Sequence, residues 1–340
     1  MNSLVRIAAA AAICASSGAA WPALTPAGTW SGNVGLSVDG IGSNLSPVGS
    51  VQAEIPVTAT ILQAYLYSAG TPFPFYPDSP HTLADYNGAG ITLAGSPITN
   101  FSALVGATST RVDIGGWGTG RADVTSLVQS LRGAAPGVSS FSWGVSEGNL
   151  NNRIDGEVLA IVYSDASRPL GSVALLNGGQ NTGGETSFVN LGTPLTDPSA
   201  PGFAAELGLG ISFSISGQSS TVKVNGATAA SNAGNNDDGL QASDGSLITV
   251  GGLGDPASNN GSYADDHELY NLAPFLATGN TSFWIFTQNP TNDDNIIYDS
   301  LYLTGDITSV TPSIPEPESY ALLLAGLGVV AVVARRRRVR

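Results

Sequence analysis

The sequence predicts an all-β protein: a β-sandwich of jelly-roll type with one short helix, a signal peptide before it and a single transmembrane helix after it. Three observations carry this. Short apolar runs of five to seven residues recur along the chain, each closed by Ser, Asp, Asn or Gly. Glycine is abundant, at 43 residues of 340, and favours tight turns over long helices. Helical periodicity, by contrast, is clear in one place only. Many short strands with turn residues between them and almost no helix point to stacked antiparallel sheets.

Taken in order, residues 1–20 read as the signal peptide. They hold one charge, Arg6, then an apolar stretch from Ile7 to Ile13, then a small-residue exit from Ser16 to Ala20. The only cysteine, Cys14, lies inside this stretch behind the bulky Ile13, a poor context for lipid attachment. A mature protein cut after Ala20 would hold no thiol, which excludes disulfides, thiolate metal sites and a cysteine nucleophile.

Residues 21–311 form the expected ectodomain, one sandwich or two sub-domains. Ile61 to Tyr67, Glu157 to Tyr163 and Ser172 to Leu176 read as strands. Ile211 to Ile215 alternates with period two, as a half-buried strand should. Thr221 to Val224 runs into Asn225-Gly226, the strongest short hairpin signal. Ser282 to Thr287 and Asn295 to Leu303 are the last strands. Asp123 to Leu131 carries apolar residues at Val124, Leu127, Val128 and Leu131, so it predicts a short helix behind an Asp N-cap. Leu269 to Leu276 is read as a second helical turn.

The charge is lopsided. Of the 12 basic residues, Arg6 and five C-terminal arginines lie outside the ectodomain, and of the 26 acids Glu316 and Glu318 do. That leaves 6 basic against 24 acidic groups, a net of −18, with Lys223 as the only lysine. Such a surface repels nucleic acid and anionic lipid and attracts divalent cations.

Residues 312–340 form the tail. Pro315, Glu316 and Pro317 precede an uncharged run from Tyr320 to Ala334, followed by Arg335, Arg336, Arg337 and Arg338. As a helix the run spans roughly 22 Å, short of the ~30 Å hydrocarbon core, which suits a transient anchor. Arginine snorkelling extends that reach, and the cations belong on the cytoplasmic side, which puts the ectodomain outside. The two prolines separate domain from anchor. This tail resembles the PEP-CTERM sorting signal of Gram-negative bacteria. The resemblance implies an exosortase of the inner membrane as partner, transient membrane anchoring, and delivery to the cell surface or extracellular polymer.

A second resemblance, to uncharacterised surface β domains of bacterial and archaeal secreted proteins, is carried by four stretches. They are Ala64 to Tyr67, Ala122 to Thr125, Val158 to Tyr163, and Asp265 to Tyr270. It implies a carbohydrate-binding-like or adhesive sandwich with no assigned activity.

Three oxygen-rich clusters are candidate Ca2+ ligands: Asp237 and Asp238; Asp265, Asp266 and Glu268; and Asp293 and Asp294. Ca2+ takes six to eight oxygens from carboxylates, Asn side chains and carbonyls, and such an ion would pin loops that repel each other. The alternative is solvated turn chemistry without metal. EF-hand spacing is absent, and Gly251 to Asp255 resembles a single turn of the Gly-rich β-helix repeat with its Asp one position early.

Gly144 to Gly148 matches G-x-S-x-G, and Ser146 is followed in the chain by His267, the order of an α/β-hydrolase. The residues after it read as loop rather than the helix that a nucleophile elbow needs. A pair of carboxylates could serve a glycosidase, but 24 acids single out no pair. Of the ectodomain tryptophans Trp30, Trp117, Trp143 and Trp284, Trp117 between two glycines is the candidate for stacking on a sugar ring, although ordinary sandwich core is the favoured reading of a tryptophan here. The sequence therefore favours a non-catalytic surface or matrix component, Ca2+-stabilised and polysaccharide-binding. A secreted carbohydrate or ester hydrolase and a metal-free structural spacer are the alternatives.

Overall fold

The computed structural model describes residues 24–42, 47–70, 87–88, 90–103, 118–148, 154–180, 184–212, 220–233, 248–250, 268–288 and 295–312. Within them the chain forms four antiparallel sheets and one α-helix. The first outer sheet is ordered β3 (Val48–Glu54), β9 (Ser140–Ser146), β5 (Thr92–Leu93), β6 (Ser96–Pro97). The first inner sheet is ordered β2 (Val34–Gly42), β10 (Ile154–Ser164), β4 (Thr60–Gly70), β8 (Gly118–Asp123), β7 (Ser102–Ala103). The second inner sheet is ordered β1 (Thr25–Gly32), β11 (Gly171–Asn177), β19 (Asn295–Leu303), β13 (Ala205–Ser212), β16 (Ile248–Val250), with β17 (Leu269–Asn271) also pairing β13. The second outer sheet is ordered β15 (Ala227–Ala233), β14 (Ser220–Val224), β18 (Ser282–Gln288), β12 (Glu185–Leu191), β20 (Ile307–Pro312).

Burial stacks these sheets in layers. One core lies between the first pair, with Val51 and Trp143 from the outer sheet facing Leu66, Leu159 and Ile161 of the inner. A second lies between the other pair, where Leu207, Leu209 and Leu301 face Val189, Val222 and Ile285. A third joins the two inner sheets back to back through Val38, Tyr67, Ala160, Val173, Leu175 and Tyr298. Strands of the inner sheets are thus apolar on both faces, as β10 and β11 already suggest by their unbroken apolar runs. The outer strand β18 alternates instead, with Phe283 and Ile285 inward and Trp284 and Phe286 outward. The chain is all-β in this sense, with mostly strand and one short helix.

The helix α1 (Thr125–Gly133) lays Val128 into the first core. Asp123 caps it from two residues upstream, its carboxylate accepting the Thr125 N–H at 2.9 Å, which accounts for the Asp signal although the formal N-cap is Val124. The expected hairpin is present: Asn225 and Gly226 both hold positive φ, +50° and +87°, as a type I′ turn between β14 and β15 requires.

Two expectations need correction. Leu269 to Leu276 is not a helical turn throughout; it opens as β17 and only Ala273–Phe275 forms a 3-10 turn. Leu269 to Asn271 find ladder partners on β13, and Pro274 in the 3-10 turn favours a short turn over a long helix. Of the half-buried strand read at Ile211 to Ile215, only Ile211 and Ser212 are described, at the end of β13, and both are buried; residues 213–215 lie outside the described residues. Ile211 faces the second core, and Gly208 and Gly210 face the first inner sheet, so both sides are covered. Within β13 the alternation of Leu207, Leu209 and Ile211 with Gly208 and Gly210 separates large from small residues.

Candidate functional site

The described polar groups that leave water are concentrated at the sheet interfaces. In the second core, Asp299 on β19 and Glu185 on β12 are both buried, at 4% exposure each. Glu185 accepts the Leu24 N–H at 3.0 Å, tying the N-terminal end of β1 across to the outer sheet. Beside it on β18 lies Thr287, which receives the Gln180 amide. Burial pushes the Asp299 carboxyl well above the usual carboxylate range, and the nearby Glu185 charge raises it further. Asp299 Oδ1 is buried without a hydrogen-bond partner, so its charge is disfavoured where it stands.

The interface between the inner sheets has a polar seam at each end. At one, the Tyr67 and Tyr298 rings lie 4.9 Å apart between centroids, and Arg121 sits 4.6 Å over the Tyr65 ring. Arg121 also donates to Asn177 Oδ1 at 3.3 Å, linking β8 to β11. Burial raises the Tyr67 and Tyr298 hydroxyls above their ordinary value. At the other end Arg168 lies over the rings of Tyr163 and Tyr302, at 5.8 and 5.1 Å, and donates through Nε to Val34 O at 2.9 Å. A narrow cleft of about 270 Å3 opens there between Glu54, Ser139, Tyr163 and Arg168. A larger, shallower cleft of about 510 Å3 lies between the loops at Asp197 to Ser199 and Asn271 to Thr278. Asp197 is held low by hydrogen bonds from Ser199, whose N–H and Oγ approach at 2.9 and 2.7 Å.

Of the candidate Ca2+ ligands, Glu268 is placed. It is fully buried, its carboxylate accepts the Tyr270 hydroxyl, and its carbonyl accepts the Leu209 N–H at 3.0 Å. That arrangement extends the β17–β13 ladder by one residue. Asp237, Asp238, Asp265, Asp266, Asp293 and Asp294 lie outside the described residues, as do Trp117, His81 and His267. So do the tail residues Pro315, Glu316, Pro317 and Arg335 to Arg338. Among the described residues no three His, Cys, Asp or Glu side chains gather closely enough to hold a metal ion, and no helix is long and apolar enough to cross a membrane.

Ser146 ends β9, half-buried, and its Oγ accepts the Gly148 N–H at 3.3 Å. The residues that a nucleophile elbow would turn into, 149–153, lie outside the described residues, and the next described element is β10, from Ile154. The tryptophans divide. Trp143 belongs to the first core, stacked on Phe141 at 5.1 Å, Trp30 packs half-buried against the inner-sheet interface, and Trp284 is half-buried on the outward side of β18. The buried pair Asp299 and Glu185 was not legible in advance. Acids 114 positions apart meet only where the sheet that holds β19 stacks on the sheet that holds β12, and no local spacing announces that.

Residues 313–338 match the PEP-CTERM protein-sorting motif. The chain therefore carries an exosortase sorting signal, which implies export and membrane anchoring of the C-terminus during sorting. No curated protein matches the chain. Among solved structures it is similar to a β-porphyranase of glycoside hydrolase family 86 from the human gut bacterium Bacteroides plebeius, at 9% identity over 86% of this chain, with a TM-score of 0.22. The chain spans 38% of that enzyme's length. It is also similar to the major capsid protein P2 of bacteriophage PM2, at 11% identity over 81% of this chain and 98% of the other, again with a TM-score of 0.22. Likenesses at this level carry no argument about fold or activity.

Proposed function

We propose that this is a non-catalytic protein of the cell surface or extracellular polymer, exported through the inner membrane behind a signal peptide and delivered by exosortase. The observation that carries the reading is the sorting motif at residues 313–338. An uncharged run too short for comfortable permanent spanning, followed by arginines, suits a handle held in the bilayer only during sorting. The payload is a layered antiparallel β structure with a strongly acidic composition, which suits life outside the cell and poorly suits nucleic-acid binding. Ca2+ belongs to the reading as an ion that the acidic loop clusters would share.

The test is fractionation of a tagged chain in a host with and without exosortase. The full chain is expected in the surface or polymer fraction only where exosortase is present, and to stay in the inner membrane otherwise. A chain lacking residues 313–340 is expected to be released without retention. Identical distribution of the full and shortened chains would sink the proposal.

A further inference from the structure

The outward side of the second outer sheet differs from the rest of the chain. Register places Lys223, Phe286 and Thr186 side by side on β14, β18 and β12. One step along, Trp284, Phe188 and Thr311 lie side by side on β18, β12 and β20. Beyond them Ser282, Asn190 and Ser309 complete a third row, with Asn190 Nδ2 donating to Ser309 Oγ at 3.1 Å. Adjacent strands are about 4.8 Å apart and alternate residues about 7 Å, so register sets the three rings as neighbours on one side of the sheet. Phe188 is 45% exposed, and it is the grouping of exposed rings, rather than one exposed ring, that marks a contact surface.

The charge on this face is equally unusual. The strands β14, β15, β18 and β20 contain no acid, and the one acid of β12, Glu185, is buried on the inner side. Against an ectodomain of net −18, the sole lysine of the chain stands here, its ammonium 5.9 Å from the Phe286 ring centroid. At physiological salt a charge acts over about 8 Å, and among the described residues of these five strands Lys223 is the one charge on the outward side.

We propose that this face is a platform for an anionic polysaccharide, with Trp284, Phe188 and Phe286 stacking on sugar rings and Lys223 holding an acidic group of the chain. Sugar rings present apolar C–H faces to aromatic rings and hydroxyls at their edges. The Ser, Thr and Asn side chains that border the rings supply donors and acceptors for those hydroxyls. The proposal rests on the reading of the chain as a protein of the extracellular polymer and names the polymer's chemistry and the surface that meets it.

The test is affinity electrophoresis of the purified full chain, in a detergent without a sugar headgroup, through gels containing polygalacturonate, alginate or neutral dextran. Retardation is expected in the two polyuronates and not in dextran. Trp284→Ala and Phe188→Ala are each expected to weaken retardation at least tenfold, and Lys223→Gln to remove most of its salt dependence. Unfolding midpoints and near-ultraviolet circular dichroism check that the variants fold. Should the ring variants fail to fold, Lys223→Gln, which removes no core atom, still decides the question. Absence of retardation in both polyuronates, or retardation untouched by these changes, would overturn the proposal. So would a dimer that Trp284→Ala dissociates while retardation is unchanged, since the face would then be a contact between copies. Because the assay uses purified protein, a failure here leaves the sorting proposal to its own fractionation test.

Discussion

Asp299 occupies a position where a carboxylate pays heavily for its charge: buried in the second core, with Glu185 as neighbour. Its carboxyl titrates above the ordinary range, so the folded state binds a proton that the unfolded chain releases near pH 4. The stability that Asp299 contributes is whole below that pH and is lost as pH rises toward the raised value. Asp299→Asn, which keeps the shape and a donor, is expected to raise the unfolding midpoint at pH 8 by the equivalent of about 1–3 kcal/mol. It should change it little at pH 4, and thermal unfolding across that range reads the difference. A variant as pH-sensitive as the parent would show that the buried charge lies elsewhere. Asp165 behaves in the opposite sense. Hydrogen bonds from Ser167 and Thr58 hold it below the usual range, so its contribution fades as pH falls.

Single strands are tied to their neighbours by side chains as well as ladders. On β2, Asp39 accepts the Gln52 N–H and Ser37 Oγ accepts the Glu54 N–H at 3.0 Å, so two amides of β3 are satisfied from the adjacent inner sheet. Ser172 on β11 does the same for the other pair of layers, accepting the Ile307 N–H at 2.9 Å and donating to Gly305 O at 2.8 Å. These clasps close the open sides of the layers where edge strands would otherwise offer unpaired groups. Asp39→Ala is expected to cost about 1–3 kcal/mol in denaturant titration, since it strands buried donors. Asp39→Asn should recover part of that, and equal losses for the two would point to packing alone.

Much at this scale was visible in the sequence, and the rest was not, for physical reasons. The apolar run of Ser282 to Thr287 announces a strand, and Asn225-Gly226 announces a hairpin, because both signals are local; that only Phe283 and Ile285 turn inward is not written in four successive apolar residues. At Ile211 and Ser212 both residues are buried, and period two does not say whether the serine side of a strand meets water or another sheet. Leu269 to Leu276 read as helical because a three-residue ladder and a 3-10 turn together mimic its period. The clasps depend on which edges meet, and the platform on Phe188 lying opposite Trp284 from 96 positions away. No window of sequence contains such a pair.

Over the whole molecule the two inner sheets share one apolar interface, so neither layer pair keeps its full core without the other. Calorimetry is therefore expected to show a single cooperative transition for the described layers. Leu175, fully buried on β11 in that interface, is a direct probe. Leu175→Ala is expected to cost about 2–5 kcal/mol and to move the entire transition. Two separated transitions, with one unmoved, would show that the halves melt independently.

The route of the backbone has its own consequence. The strand β1 pairs with β11, Gly32 facing Gly171, yet the next strand, β2, belongs to the other half. Any ribosome finishes the leading segment long before its mate exists. The first strand of the described layers must therefore wait until β11 is made, and the second half cannot be completed from its own stretch of polypeptide. A cut between Gly32 and Asn33 after assembly should leave the piece noncovalently held, whereas omitting it from the start should leave the later half ragged along one border.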